Sequence, residues 1–324
     1  MTDEEELTYA DAGVDIDASE AATAALVSAV GGNDTTEYAG LIDIGDTYLA
    51  LATDGVGTKL LVAEALGDYS TVGIDCIAMN VNDLVAAGVT PVAFVDYLAV
   101  DEPSETFSEQ IGAGLSRGAE DAGVALVGGE TAVMPEVVSG LDLAGTAAGL
   151  ATEDEVFPGE AEAGDVLVGF ASSGIHSNGL TLAREAATRD GDYTDPYPYD
   201  GYETVGEALL EPTRLYTYLL DDLHEHDVHA AAHVTGGGWT NLSRMGDYRY
   251  SILDPFDAQD VFAFVQERGN VSDAEMHRTF NMGTGFVVAL PPEEAESLAD
   301  ATDGRVIGSV EEGEGVAVRG LTLD

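Results

Sequence analysis

Five short stretches of the chain combine residues that can hold an anion or move a proton. The first, Thr53-Asp54-Gly55-Val56-Gly57-Thr58-Lys59, sits where a strand should give way to a helix. Gly55 and Gly57 allow a tight turn that exposes backbone N–H groups at a positive helix end, which is how anions are held. Asp54 and Thr58 add a carboxylate and a hydroxyl. Lys59, the only lysine of the chain, reads either as a phosphate-neutralising cation or as one remaining surface lysine. The spacing is not GxxxxGK[ST], so no nucleotide claim follows from a P-loop.

The second stretch, GIDCIAMNVNDL from Gly73 to Leu84, reads as a helix. Met79, Asn82 and Asp83 share a face by i,i+3 and i,i+4 spacing, and so do Asn80 and Asp83. Polar Asn80, Asn82 and Asp83 among Ile, Ala, Val and Leu would be costly to bury without partners, which favours a functional site. Asp54 and Asp83 together could hold Mg²⁺, an ion that binds through one or two carboxylates plus substrate phosphates. The plainer alternative is solvated surface, since the chain has 61 acids.

Three further stretches are glycine turns. Gly128-Gly129-Glu130-Thr131 follows a strand and reads either as a ligand-approach loop or as a plain turn. Ser172-Ser173-Gly174-Ile175-His176-Ser177-Asn178-Gly179 and His233-Val234-Thr235-Gly236-Gly237-Gly238 each join strand to helix and could cradle an anion. His176 and His233 lie in these turns and are candidate general acids or bases, with a structural role as the alternative for each. His224, His226 and His229 cluster in acidic text and read as solvated. No HExxH spacing exists, and Cys76, the single cysteine, has no second thiol for zinc.

Charge then narrows the chemistry. With 61 Asp and Glu against 11 Lys and Arg, the net charge is −50, which argues against a nucleic-acid binder working through phosphate contacts. Disorder is excluded by the 45% hydrophobic content and the apolar runs between turns. The acids spread through both halves, as on a surface adapted to high salt, where screening tolerates self-repulsion. Lys59 and Arg117 are the only bases before residue 163. Any triphosphate bound there must be neutralised by metal ions and backbone dipoles, so an ATP reading requires a divalent cation. A lone cysteine, an acidic start and the lack of a long apolar run suit a cytoplasmic protein outside membranes.

The elements that must carry these residues alternate in an α/β pattern. Helices are predicted over Ser19–Val30, Thr58–Leu66, Val72–Ala87, Ser104–Ala122, from Leu180, over Thr204–Leu223, near Trp239 and over Pro292–Ala301. Strands are predicted near Tyr48–Ala52, Val92–Ala99, Val124–Val127, Leu141–Ala151, Asp165–Ala171, His229–Val234 and Gly285–Leu290, with two short ones at the end. The acidic, Pro- and Gly-containing Glu153–Gly164 marks a boundary, giving domains 1–157 and 158–324.

Taken in order, TDGVGTKL, GIDxxAMNVNDL, VGGETAxMP, SSGxHSNG, HVTGGG and RTFNMGTG closely resemble the motif series of the phosphoribosylformylglycinamidine cyclo-ligase family. The opening TYADAGVDID resembles that family's start, so the likeness runs from Thr8 past Gly285. Any one motif is weak; six in register are specific.

The resemblance implies a two-domain aminoimidazole ribonucleotide synthetase-like fold, with N-terminal strands pairing into a barrel across a homodimer. It implies an enzyme that uses ATP and Mg²⁺ to close the imidazole ring of formylglycinamidine ribonucleotide. Asp54 and Asp83 would be the metal ligands. Lys59 would help neutralise phosphate, and Gly55, Gly57, Thr58, Asn82, Gly129, Glu130 and Thr131 would line the site. His176, Ser177, Asn178, His233, Thr235, Gly236 and Gly237 would approach from the second domain, a histidine moving the proton.

One stretch departs from the pattern: many members carry a basic Gly-rich segment where Gly31–Gly40 here has no Lys or Arg. Related readings fit less well. A selenophosphate synthetase would offer a reactive Cys or selenocysteine before Cys76, and the hydrogenase-maturation relative would end in a Cys-bearing tail. A thiamine-monophosphate kinase lacks the HSNG and HVTGGG pair in this form. A formylglycinamidine synthetase paralogue, usually longer, and a non-catalytic acidic binding protein stand as alternatives.

Overall fold

In a computed structural model, residues 7–13, 16–30 and 39–323 are described, and they build two sheets joined by residues 152–165. Most of the acidic Gly31–Gly40 segment lies outside the described residues. The first half runs α1 (Ile16–Val30), β1 (Gly40–Asp43), β2 (Tyr48–Gly55), α2 (Lys59–Leu66), α3 (Val72–Ala86), β3 (Thr90–Val100), α4 (Glu105–Ala122), β4 (Ala125–Val133) and β5 (Leu141–Ala151). Its sheet has the order β1-β2-β5-β3-β4, antiparallel except for the β3/β4 pair. β2, β3 and β4 therefore run the same way, and their carboxyl ends share one edge.

Alternation along these strands separates two faces. Ala50, Ala52, Phe94 and Leu98 are buried beneath the helices, whereas Leu51, Val95, Tyr97 and Leu150 are exposed on the other face. The helix that covers the sheet is α3, in which every residue but Asp83 is buried. It can be so enclosed because it crosses α4 at glycines. A Cβ on Gly73 would lie 2.2 Å from the backbone nitrogen of Leu115, so only glycine permits this approach.

The second half runs β6 (Val166–Ala171), α5 (Leu180–Thr188), α6 (Val205–Leu209), α7 (Leu220–His224), β7 (Ala230–His233), β8 (Arg249–Ile252), α8 (Asp260–Gly269), α9 (Asp273–Thr279), β9 (Thr284–Leu290), α10 (Pro292–Ala301), β10 (Arg305–Glu311), β11 (Gly315–Val318) and β12 (Leu321–Leu323). Its seven strands follow the order β12-β11-β8-β10-β6-β9-β7, with every residue of β9 buried.

Three differences from the sequence reading have physical causes. The helix expected over Thr204–Leu223 is broken between α6 and α7. Pro212 cannot donate a helical N–H, and Thr213 gives its N–H and hydroxyl to the buried Asp75 instead, at 2.8 and 2.6 Å. The Gly128–Thr131 turn is the middle of strand β4. Gly129 is tolerated there because the Asp96 carboxylate of β3 fills the space a Cβ would need, 2.3 Å from that position. The glycine run before Trp239 opens a 3-10 segment, Gly238–Met245, in place of an α-helix. β1, β8, α8 and α9 were not anticipated.

Candidate active site

β2 ends against α3, and a side-chain amide fixes the junction. Asn80 accepts the Asp54 backbone N–H at 2.8 Å and donates to the carbonyls of Asp54 (3.2 Å) and Cys76 (2.8 Å). Asp54 lies on the helix-covered side of β2, in a cross-strand row that continues through Gly145 of β5 and Asp96 of β3 to Gly129. Its carboxylate also accepts the Gly55 N–H at 2.7 Å. One edge meets solvent, yet the surrounding protein pushes its pKa up to about 6, chiefly through burial. The charge of Asp83 pushes it further, while His233 and Arg244 act in the opposite sense.

Asp83 is held from behind. The His233 imidazole is wholly buried and its Nδ1–H donates to the Asp83 carboxylate at 3.0 Å, while Nε2 accepts from Asn82 at 3.4 Å. Asn82 also donates to the Arg214 carbonyl (2.9 Å) and accepts the Tyr216 N–H (2.9 Å), which sets its amide orientation and hence the histidine tautomer. His233 thus positions a carboxylate; it does not face the cleft as the proton carrier that the sequence suggested. Asn82 likewise works inside the wall.

The second domain closes on this edge through its glycine turns. Ser177 donates to the Val56 carbonyl (3.0 Å), Thr58 and Thr181 hydroxyls meet at 2.9 Å, and the Asn178 amide contacts the Met79 sulfur at 3.5 Å. Gly236 lies against Asn178, leaving a Cβ position 3.4 Å from its carbonyl oxygen. The Thr235 N–H donates to Asn241 at 2.8 Å, tying the Thr235–Gly237 turn to the 3-10 segment that bears Arg244. Gly57 and Gly237 have φ of +70° and +118°, which favours glycine at both turns.

The structure corrects three expectations. Lys59 is fully buried, its ammonium 2.9 Å from Asp75 and 2.6 Å from the Glu211 carbonyl, so it bridges the domains and offers no charge to a phosphate in the cleft. His176, at φ +67° and 1% exposed, accepts the Ser173 N–H through Nε2 at 3.2 Å, with the Arg214 N–H at 3.5 Å. Its basic lone pair is occupied and burial drives its pKa well below the ordinary histidine value, so it remains a neutral interior group. Glu130 stands opposite Tyr97 on the exposed face of the sheet, away from Asp54 and Asp83 within one chain, and Thr131 pairs with Leu98 on the edge strand. The four other histidines are bonded too: His224 with the Gly88 carbonyl (2.8 Å), His226 with the Asp222 carbonyl (2.7 Å), His229 with Asp165 (3.0 Å) and His277 with the Asp273 carbonyl (2.8 Å).

Among the described residues no group of three or more His, Cys, Asp or Glu forms a self-sufficient metal cage. Asp54 and Asp83, close enough for the charge of one to act on the other, could share a hard cation that takes its remaining oxygens from phosphate and water.

Two family models match the chain: the AIR synthase related protein N-terminal domain over residues 36–151 and the corresponding C-terminal domain over residues 162–320. A phosphoribosylformylglycinamidine cyclo-ligase of Methanococcoides burtonii is 48% identical across 99% of both chains. That of Pyrococcus horikoshii is 48% identical across 90% of both. The chain belongs to the phosphoribosylformylglycinamidine cyclo-ligase family. Solved structures extend the fold likeness beyond the cyclo-ligases. Thiamine monophosphate kinase from Aquifex aeolicus aligns with a TM-score of 0.68 at 18% identity, over 94% of this chain and 97% of that one. T. maritima PurL complexed with FGAR aligns with a TM-score of 0.62 at 17% identity, over 88% of this chain and 46% of that one. Against this cyclo-ligase background, the residues the sequence reading missed are Asp75 and Arg244, single charges whose partners lie far away along the chain. Asn80 was already singled out as a polar residue in apolar helix text, though not its part in fixing the β2–α3 junction.

Proposed function

We propose that the chain is an ATP-dependent ring-closing ligase that converts formylglycinamidine ribonucleotide to 5-aminoimidazole ribonucleotide, ADP and phosphate in purine biosynthesis. The observation that carries this reading is the Asp54–Asp83 pair, set where both domains meet, in a chain 48% identical end to end to a protein of that name. An amide oxygen is a poor leaving group. Transfer of a phosphoryl group to the formamide oxygen makes it a good one, the amidine nitrogen attacks the activated carbon, and inorganic phosphate departs. Such chemistry asks the protein for positioning and charge stabilisation more than for covalent help.

Asp54 and Asp83 would hold Mg²⁺, which supplies neutralisation of the transferring phosphoryl group when bound. His233 keeps Asp83 aimed. Ser177 and Asn178 hold the second domain against the Val56 loop, and the Thr235–Gly237 turn closes over the same edge. Gly55, Gly57 and Thr58 form the first-domain rim. Residues 1–157 then serve as the acid-bearing domain and 158–324 as the closing domain.

The exposed face bearing Leu51, Val95, Tyr97 and Leu150 fits burial in a homodimer, and there Gly129, Glu130 and Thr131 would lie at the subunit boundary. No helix among the described residues is long and apolar enough to cross a membrane, and the metabolic role fits a cytoplasmic enzyme. The acidic surface fits high salt; loss of stability on dialysis into low salt would support that, and unchanged stability would oppose it. The decisive test incubates the protein in high KCl with formylglycinamidine ribonucleotide, ATP and Mg²⁺. ADP with aminoimidazole product is expected; ATP binding without product would overturn the reading.

A further inference from the structure

Of the six motifs in register, RTFNMGTG (Arg278–Gly285) is the only one that gives no residue to the proposed site, yet it runs behind both glycine turns of the second domain. It begins in the last turn of α9 and ends in the first residues of β9. In between, Met282 and Gly283 take φ of +47° and +95°. That strained bend is kept closed by Asn281, whose side-chain oxygen accepts the Gly283 N–H at 2.9 Å.

The same buried amide reaches out of the bend. Its Nδ2 donates to the Gly174 carbonyl at 2.9 Å and to the Ile175 carbonyl at 3.3 Å, just before His176. The Gly283 carbonyl accepts the Ser172 N–H at 2.9 Å, and Phe280 covers Gly179, where a Cβ would lie 2.4 Å from the ring edge. The turn is thereby gripped at its start, middle and end. The other turn rests on the same segment. The Val234 N–H donates to the Gly285 carbonyl at 3.0 Å. Gly238 packs so closely on the end of α9 that a Cβ there would lie 2.4 Å from the His277 carbonyl oxygen and 2.7 Å from that of Phe280.

In each turn the gripped residues bracket those that close on the first domain. Ser177 and Asn178 lie between Ile175 and Gly179, and Thr235–Gly237 between Val234 and Gly238. A turn has no repeating ladder of its own, so its backbone is fixed by whatever pairs with it. Resting on the proposed ring closure, we propose that Arg278–Gly285 is a common abutment that presets the two turns relative to each other, and that Asn281 is a positioning residue acting through them. Substrates would still bind to loosened turns, but the productive arrangement would be a small fraction of the bound state, so the loss falls on kcat.

The test compares wild type, Asn281→Ala and Leu298→Ala in high KCl. Leu298 is a buried residue of α10, which packs on β6 and β10, so its truncation weakens the same domain and leaves both turns gripped. Asn281→Ala should lower kcat about 30-fold with KM for ATP and for the ribonucleotide within about threefold. Leu298→Ala, at an equal or larger fall in thermal midpoint, should keep kcat within about twofold. Amide hydrogen exchange in the ligand-free protein reads the abutment directly. Asn281→Ala should speed exchange about tenfold or more in peptides covering both 172–179 and 234–238, and Leu298→Ala in neither.

Faster exchange confined to 172–179, or seen in neither turn, overturns the common abutment. An unchanged kcat in Asn281→Ala, or an equal loss in Leu298→Ala, overturns the positioning role. Should Asn281→Ala not fold, Phe280→Leu uncovers Gly179 while keeping an apolar core, and the same readouts apply with a fall in kcat of about tenfold. Absence of turnover in wild type would count against the proposed function, and the exchange experiment would still judge the abutment.

Discussion

Two polar clusters fasten the same helix, α3, to the second domain, and they differ in charge balance and access. At its amino end Asp75 meets Lys59 and Thr213 in a wholly buried knot with one positive and one negative charge. At its carboxyl end Asp83 meets His233, with Asp54 nearby, leaving an excess of negative charge at a cleft. A closed, neutral pair has no capacity left for a ligand and serves cohesion. An open, surplus-charged pair retains the capacity for a cation that the Mg²⁺ proposal calls on.

Substitutions can break that contrast. Asp83→Asn should lower kcat for ring closure by about 10³-fold or more while the thermal midpoint stays within a few degrees, because it removes charge from the cleft and not from the core. Full activity in that variant would dissolve the distinction from the Asp75 side. Lys59→Met should do the reverse, costing about 3–5 kcal/mol by stranding the buried Asp75, with the surviving folded fraction active. Denaturant titration measures it, and adding Asp75→Asn should recover much of the loss. Equal destabilisation by the single and double variants would show that the pair is not the source.

Finer effects sharpen the comparison. His233→Asn should reduce kcat about 10- to 100-fold, since it loosens a carboxylate without removing it. An effect as large as that of Asp83→Asn would make His233 a direct participant. Smallest is the stability effect of Asp54→Asn in the metal-free protein. The folded pKa of Asp54 is raised, so its ionised form disfavours folding above about pH 6 and the neutral form does not. The variant should melt about 2 °C higher than wild type at pH 7.5, the difference fading as pH falls below 6 and vanishing below the unfolded value near 4. A variant less stable than wild type at pH 7.5 would show that Asp54 is already neutralised within the fold.

How far the site was legible follows from these residues. Asp54, Asp83 and the turns around Gly57, Ser177 and Gly236 were readable because short spacing and residue type constrain local geometry. The histidines were misread for the same reason: position in a glycine turn does not reveal whether a ring points outward. His176 and His233 both point into the protein. Lys59 looked available because nothing nearby in sequence announces Asp75, sixteen residues on, or the Glu211 carbonyl, brought over only by the break at Pro212. Gly128–Thr131 read as a turn because glycine propensity outweighed the pairing of an edge strand with β3.

By itself, the sequence determined the α/β class, the family, the acidic surface and the carboxylates at the ends of β2 and α3. These depend on composition, periodicity and motifs only a few residues long. Tertiary structure alone decided which charges are spent on one another and which face the cleft, because burial and partner choice are set by contacts distant in sequence, such as Lys59 with Glu211, 152 residues apart. Where two like motifs carry an acid and a base, only the packing around them separates mortar from machinery.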